Sequence, residues 1–375
     1  MMKKVRHSFL SGNGMQTFLT SLLSVAVGLV LGYLVLLLIE PSGAGEGMTA
    51  VLSGCFAFPG KLMLKYLGQT LVRTVPLLLC AISVIFAYSG GFFNIGVAGQ
   101  YTVGACAALY GAIAWSLPWY VCLLLGILAA GLWGGLCAML KLYCNVNVVI
   151  SGIMLNWIAL YLTNWILGGI KDPTGPFTPA LQGVNPSALL PSLGLEKLFF
   201  REKSVTIAIP LALALGAAVW VVLRKTVFGY ELKATGHSLH ASRYAGMNEK
   251  RNLLLVMVIA GALAGTGAVL LYLSGMEQWS TTQSALPAVG FSGIAAAFLG
   301  GLDPFGAMLS AFFIQHITMG GGNIDLRLYS PQIADLIASL IIYLCAFAGC
   351  FRLLLRRKSA LGRAQMSQKE GGRVE

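Results

Sequence analysis

Two carboxamides, Asn94 and Gln100, lie six residues apart in the stretch GGFFNIGVAGQ, residues 90–100. An amide both donates and accepts hydrogen bonds, so the pair suits a neutral, hydroxylated solute rather than an ion. Four glycines share the same eleven residues, and each costs a helix about 1 kcal/mol relative to alanine. Apolar runs flank the stretch on both sides. Lipid cannot satisfy free backbone or amide groups, so irregular backbone at membrane depth is tolerated only inside protein or against water. One reading is close helix packing, because glycine lets backbones approach. The other is a broken helix lining a polar path, with Phe93, Asn94, Gly96, Gly99 and Gln100 along it. A second Gly-rich interruption, Ala288–Gly301, carries Gly290, Phe291 and Gly293 in a comparable place in the other half of the chain. Paired interrupted segments are the sequence pointer to a central site in transporters. Asn156 and Asn164 are eight apart, close to one helix face, and suit either interhelical bonding or solute contact. Gln283 and Gln315 are weaker candidates.

Other chemistries lack their residues. Asp335 and Arg73 are the charges nearest the interior of an apolar run, each near the start of a span, where a boundary charge or a structural pair is expected. Nothing else supplies a proton relay. The chain has no Gly-rich phosphate loop of the Walker A type, so it cannot use ATP by itself. His7, His237, His240 and His316 are scattered, and the eight cysteines form no CxxC pair, so no metal or other cofactor is expected. With no nucleophile–base set either, the chain is not expected to be an enzyme.

The elements that must position these residues follow from composition. The 375 residues are 57% hydrophobic and 10% charged, with a mean hydropathy of +0.79. Soluble domains carry about 25% charged residues. The fold class expected is all-α, a polytopic transmembrane bundle with broken helices and a possible internal repeat. Crossings are expected at about Phe18–Ile39, Thr70–Tyr88, Gln100–Trp115, Trp119–Leu140, Val146–Gly169, Val205–Leu223, Leu253–Leu273, Val289–Gly301, Phe305–Met319 and Pro331–Phe351. That makes about ten. Ala50–Leu67 is interrupted by Pro59, Gly60, Lys61 and Lys65 and reads as re-entrant or interfacial. The expected divisions are 1–17, a transmembrane domain 18–351 with a Pro-rich link at 170–203 and a basic loop at 224–252, and a basic tail 352–375. The small-xxx-small runs Gly131–Gly135 and Gly261–Gly265 read as packing faces.

The net charge of +12 sits mostly in three places. These are Lys3, Lys4 and Arg6, the loop from Arg224 to Arg251, and the tail from Arg352 to Arg373. That distribution is positive-inside topology rather than a nucleic-acid site. An even number of crossings then puts both termini and the 224–252 loop in the cytoplasm of a multi-pass plasma-membrane protein, with the Pro-rich link outside. In that loop Ser238 is a natural N-cap and Gly246 a natural stop, so a short helix is expected between Gly236 and Gly246. A plain connection needs only a few residues and no such punctuation. A short rigid helix there suits a docking partner.

Four stretches carry a resemblance. FNIGVAGQ, VNVVISGIMLNWIA (Val146–Ala159), TVFGYELKATGHSLHASRYAGMN (Thr226–Asn248) and AGALAGTGAVLLYLSG (Ala260–Gly275) resemble permease subunits of nucleoside and simple-sugar ABC importers. Those subunits belong to the larger ribose and branched-chain amino-acid permease superfamily. The resemblance covers about residues 60–350 and implies inward transport of a nucleoside or simple sugar by alternating access. It implies a cytoplasmic ATP-binding subunit, a second permease subunit and an external substrate-binding lipoprotein as partners. It also implies ATPase coupling through Gly229, Tyr230, Glu231, Gly236, Ser238, Arg243, Tyr244 and Gly246. Members commonly carry a glutamate before the Gly-Gln of FNIGVAGQ, where this chain has Ala98. That removes a charge from the path and leaves the exact solute open. A passive channel or an ion-coupled carrier for a small neutral solute stays as the alternative.

Overall fold

A computed structural model describes residues 13–346 apart from Leu326 and Pro331. The first basic cluster, the basic tail and the end of the last expected span lie outside the described residues. Among the described residues the fold is helical, with a single bridge pair, Phe177 and Ser280, outside helices and turns. In chain order the helices are α1 (Asn13–Ile39), α2 (Ala44–Ser53), α3 (Lys61–Ser89), α4 (Val97–Ile113), α5 (Trp119–Cys144) and α6 (Val148–Gly168). Then come α7 (Ala208–Lys225), α8 (Val227–His237), α9 (Leu239–Tyr244), α10 (Glu249–Tyr272), α11 (Ala288–Leu299), α12 (Pro304–Gly321) and α13 (Ile333–Ala346). A helix thus stands at each of the ten expected crossings. Six of the helices are long and apolar enough to cross a membrane: α1, α3, α5, α6, α7 and α10. At 1.5 Å per residue α11 is about 18 Å long, short of a 30 Å hydrocarbon layer.

The chain divides into two compact units, residues 1–52 with 320–375, and residues 53–319. In the first, α1 packs on α13 through the Gly28-xxx-Gly32 face. A Cβ on Gly28 would lie 2.6 Å from Ile341 Cγ1 and one on Gly32 3.0 Å from Ile337 Cγ2. The second unit holds α3 to α11 and most of α12. Its centre is α10, packed against α3, α4 and α5. The two small-xxx-small runs meet each other there. Gly261 sits against the Ala130 carbonyl and Gly134 against that of Met257, and Gly135 would place a Cβ 2.9 Å from Val258 Cγ2. Gly104 of α4 would place one 2.6 Å from the Gly265 Cα. These helices touch backbone to backbone, which compensates in dispersion contacts for the missing hydrophobic force between helices in lipid.

The Ala50–Leu67 expectation is corrected. Pro59–Gly60 breaks the chain, with Gly60 at φ +63°, but Lys61–Leu67 are the first two turns of a 29-residue α3. The lysines interrupt the apolar pattern without interrupting the helix.

At one end of this unit α3 begins and α10 stops. Arg73 reaches Glu277 there at 3.8 Å, as a structural pair. The Pro-rich link lies at the same end, folded against the strand-like residues after α10. Thr281 N donates to Pro176 O at 2.7 Å and Trp279 N to Thr178 Oγ1 at 3.1 Å. Asn164 holds this layer, accepting from Trp279 Nε1 (3.1 Å) and donating to Gln283 O (2.8 Å). Thr174 N and Oγ1 both donate to the Asp172 carboxylate and hold its pKa below the ordinary value. At the opposite end α3 stops, α10 begins and α8 crosses.

Candidate functional site: the broken segment and the loop that touches it

The helix break is built by a Schellman turn. Gly91 N donates to Tyr88 O and Phe92 N to Ala87 O, both at 3.0 Å, with Gly91 at φ +83°. Only glycine takes that conformation without strain, so Gly91 fixes where α3 ends. Six residues after Gly91, α4 starts in the opposite direction.

The amides brace this return. Asn94 and Gln100 form a reciprocal pair, Nδ2 to Oε1 at 2.8 Å and Nε2 to Oδ1 at 3.2 Å. Asn94 Nδ2 also approaches Ser83 Oγ at 3.4 Å, one and a half turns back in α3. Asn156 clamps the segment from α6, accepting from Gly99 N at 2.7 Å and donating to Ile95 O at 3.0 Å. Asn94, Gln100 and Asn156 are all buried, at 0%, 1% and 1% exposure. Each bond contributes about 0.5–1.5 kcal/mol net, and each would cost more than that to leave unmade in an apolar interior. The glycines make the clamp possible. A Cβ on Gly99 would lie 2.8 Å from Asn156 Oδ1, and one on Gly152 would lie 3.0 Å from Gly96 N.

The second interruption meets the first. A Cβ on Gly290 would lie 2.6 Å from the Ala98 Cα and 2.7 Å from its Cβ, and one on Gly293 would lie 2.5 Å from Cys80 Cβ. So α11 seats its glycine face on α3 and α4 and turns Phe291 outward, 43% exposed. Phe93 also faces outward, at 38% exposure. Phe298, two turns along α11 from Phe291, lies 6.1 Å from the rings of both Phe93 and Tyr88. The expected path residues therefore separate into two sets. Asn94, Gly96, Gly99, Gln100, Asn156, Gly290 and Gly293 are buried, and Phe93 and Phe291 are exposed. Tyr88, Phe298 and Ser83 join them, and no sequence signal singled these out.

The basic loop is two helices. Thr226 caps α8, its Oγ1 accepting from Gly229 N at 3.1 Å, and Gly229 is pressed against Leu223, where a Cβ would lie 2.8 Å from the Leu223 Cα. Ser238 caps α9, accepting from Ala241 N at 3.3 Å, and Gly246 follows its end at φ +79°. The expected lower boundary moves. Gly236 lies in the last turn of α8, and Ser238 alone separates the two helices. Tyr230 and Tyr244 are exposed, the latter at 94%. Arg243 reaches Glu249 at 4.0 Å, and Glu231 is half-buried.

A helical bundle with paired breaks, a carboxylate-free amide brace and a punctuated basic loop defines a polytopic transport permease. A family profile described as "Branched-chain amino acid transport system / permease component" matches residues 66–346, and the chain belongs to that family. The chain is 33% identical over 353 residues to the guanosine ABC transporter permease protein NupP of Bacillus subtilis, covering 92% of this chain and 97% of that one. It is 30% identical over 322 residues to the nucleoside ABC transporter permease protein NupB of Lactococcus lactis subsp. cremoris (82% and 86%). It is 28% identical over 299 residues to a second Bacillus subtilis protein, the guanosine ABC transporter permease protein NupQ (75% and 90%). The chain is the permease subunit of an ABC importer in the plasma membrane, works with an ATPase subunit, and is not an enzyme.

Proposed function

We propose that this permease carries a nucleoside inward, by alternating access, along a path walled by Phe93 and Phe291. The observation behind this reading is the aromatic row beside the two breaks, in which Tyr88, Phe93 and Phe291 are exposed and half-buried Phe298 lies against the rings of Tyr88 and Phe93. Every nucleobase has a π-face, and stacking on an aromatic side chain contributes about 1–3 kcal/mol per base. The buried amides hold the wall in place, and the solute meets the rings. Two relatives named for guanosine and one named for nucleosides agree with that chemistry.

A second permease subunit completes the path from its open side. The two different guanosine permeases of one bacterium favour a heterodimer. An external substrate-binding lipoprotein delivers the solute. Both termini and the α8–α9 loop lie in the cytoplasm, by the basic distribution. α9 is the helix that docks the ATPase, with Tyr244 and Arg243 as its contacts and Tyr230 and Glu231 of α8 beside them. A passive channel has no use for such a helix.

In vesicles holding the whole importer, Phe93→Ala and Phe291→Ala are each expected to lower ATP-driven guanosine uptake at least tenfold, mainly through KM. Phe→Tyr at either site retains most of it, because the stacking face survives. Wild-type vesicles that import glucose and not guanosine would replace the nucleoside with a sugar. Tyr244→Asp should release the ATPase subunit from the detergent-solubilised complex by placing a charge at an exposed apolar contact. Retention of the ATPase at wild-type stoichiometry would remove α9 from that role.

A further inference from the structure

Gly236 does not end the docking helix, yet it is placed with unusual closeness. A Cβ built on it would lie 2.6 Å from Gly91 N, 2.7 Å from Gly90 C and 2.8 Å from Ser89 O. The reverse holds too, since a Cβ on Gly91 would lie 2.8 Å from the Gly236 Cα. The last turn of α8 therefore rests on the Schellman turn that opens the break, with no side chain between the two backbones. Gly90 is pinned from a third direction, where a Cβ would lie 2.5 Å from Val256 Cγ2 of α10.

The rest of α8 is clamped. Its Leu232 is fully buried, Gly229 presses on the end of α7, and Asn252 Nδ2 of α10 donates to Thr235 Oγ1 at 3.3 Å. One residue, Ser238, separates α8 from α9. On the other side of the contact, Gly91 stands three residues before Asn94, and Phe92 between them is buried. A displacement of α9 thus has a short, closely packed route to the amide brace. Packed interiors have low compressibility and transmit strain rather than absorb it. A side chain at this contact would add rotamers that yield.

We propose that the contact of Gly236 with Gly90–Gly91 is the joint through which ATPase movement reaches the broken segment. Gly236 and Gly91 are then positioning residues for transport, touching neither solute nor ATPase. The proposal rests on α9 being the ATPase-docking helix.

The test is Gly236→Ala in the complete importer, reconstituted in vesicles. Gly236 has no left-handed backbone to strain, and alanine is the better helix former by about 1 kcal/mol. Any defect therefore comes from the contact. The expected result is wild-type ATPase co-purification, ATP hydrolysis within twofold of wild type, and at least tenfold less guanosine imported per ATP. Import per ATP within twofold of wild type would overturn the joint. Loss of the ATPase from Gly236→Ala would also overturn it, by making Gly236 part of the docking surface. Retention of the ATPase by Tyr244→Asp, in contrast, removes the docking reading itself. Should the Gly236→Ala permease itself fail to fold, hydrogen exchange in the wild-type importer decides. The amides of Gly91–Gly99 should change protection together with α8 when a non-hydrolysable ATP analogue binds, and a change confined to α9 would overturn the joint.

Discussion

Asn156→Leu is expected to abolish uptake and to destabilise the permease by about 2–5 kcal/mol, because it orphans a buried and a part-buried backbone group at once. Leucine fills nearly the same volume but neither accepts from Gly99 N nor donates to Ile95 O. Those groups are the N–H of the third residue of α4 and a carbonyl of the return. Pairing in the unfolded, membrane-embedded chain reduces such costs, which is why the lower part of the range is included. Asn156→Asp should fall between wild type and leucine, keeping the acceptor and losing the donor. Asn156→Gln should not rescue, because a Cβ on Gly99 would already lie 2.9 Å from the Asn156 Cα and no room exists for another methylene. Thermal unfolding of the solubilised permease, followed by size-exclusion, reads stability, and vesicle uptake reads transport. A leucine variant with wild-type melting and uptake would mean that α6 does not hold the break.

Ala98→Glu is expected to be at least as damaging. By the resemblance set out above, the position is one where a glutamate is expected, so the change looks conservative. The packing says otherwise. Ala98 is fully buried, and Gly290 of α11 lies directly on its backbone. A carboxylate there loses its water, at several kcal/mol after relaxation, and the positive end of α4 returns only about 0.3–1 kcal/mol. The glutamate must therefore push α11 away. The expected outcome is little folded protein by fluorescence-detected size-exclusion. Rescue should not come from Gly290→Ala, which tightens the same contact. Wild-type yield and uptake would show that α11 leaves Ala98 uncovered in the working protein.

Much of this arrangement was legible in the sequence. Long apolar runs gave most of the helices to within about five residues, because span length is dictated by bilayer thickness, and α3 alone starts nine residues before its expected span. Ser238 and Gly246 were legible as caps because capping is local chemistry. The two small-xxx-small runs were legible as packing faces, though not as partners of each other. What the sequence could not supply were contacts between distant residues. Asn156 and Gly99 are 57 positions apart, and nothing in spacing says that one amide serves the other. For the same reason the sequence left open whether the amides serve a solute or one another, and in the structure they bond to one another and to backbone. Gly236 looked like a helix boundary because glycine usually is one, and only the tertiary contact with Gly91 explains it. The lysines at 61 and 65 misled for a related reason: polarity predicts exposure, and at a membrane surface a helix continues through it.

The seam where α4, α5 and α10 meet has one further consequence, for descent and redesign. Gly104, Gly126, Gly134, Gly261 and Gly265 face backbone across it, so even a methyl group has nowhere to go. Such positions have no neutral neighbours in sequence space. An alanine at any of them forces two helices apart, so a redesign of what the permease carries has to enter elsewhere. The aromatic rings on the open face stand free of the seam, where one can be exchanged without disturbing the frame. On the proposed path, a change of cargo falls to a few rings outside the seam.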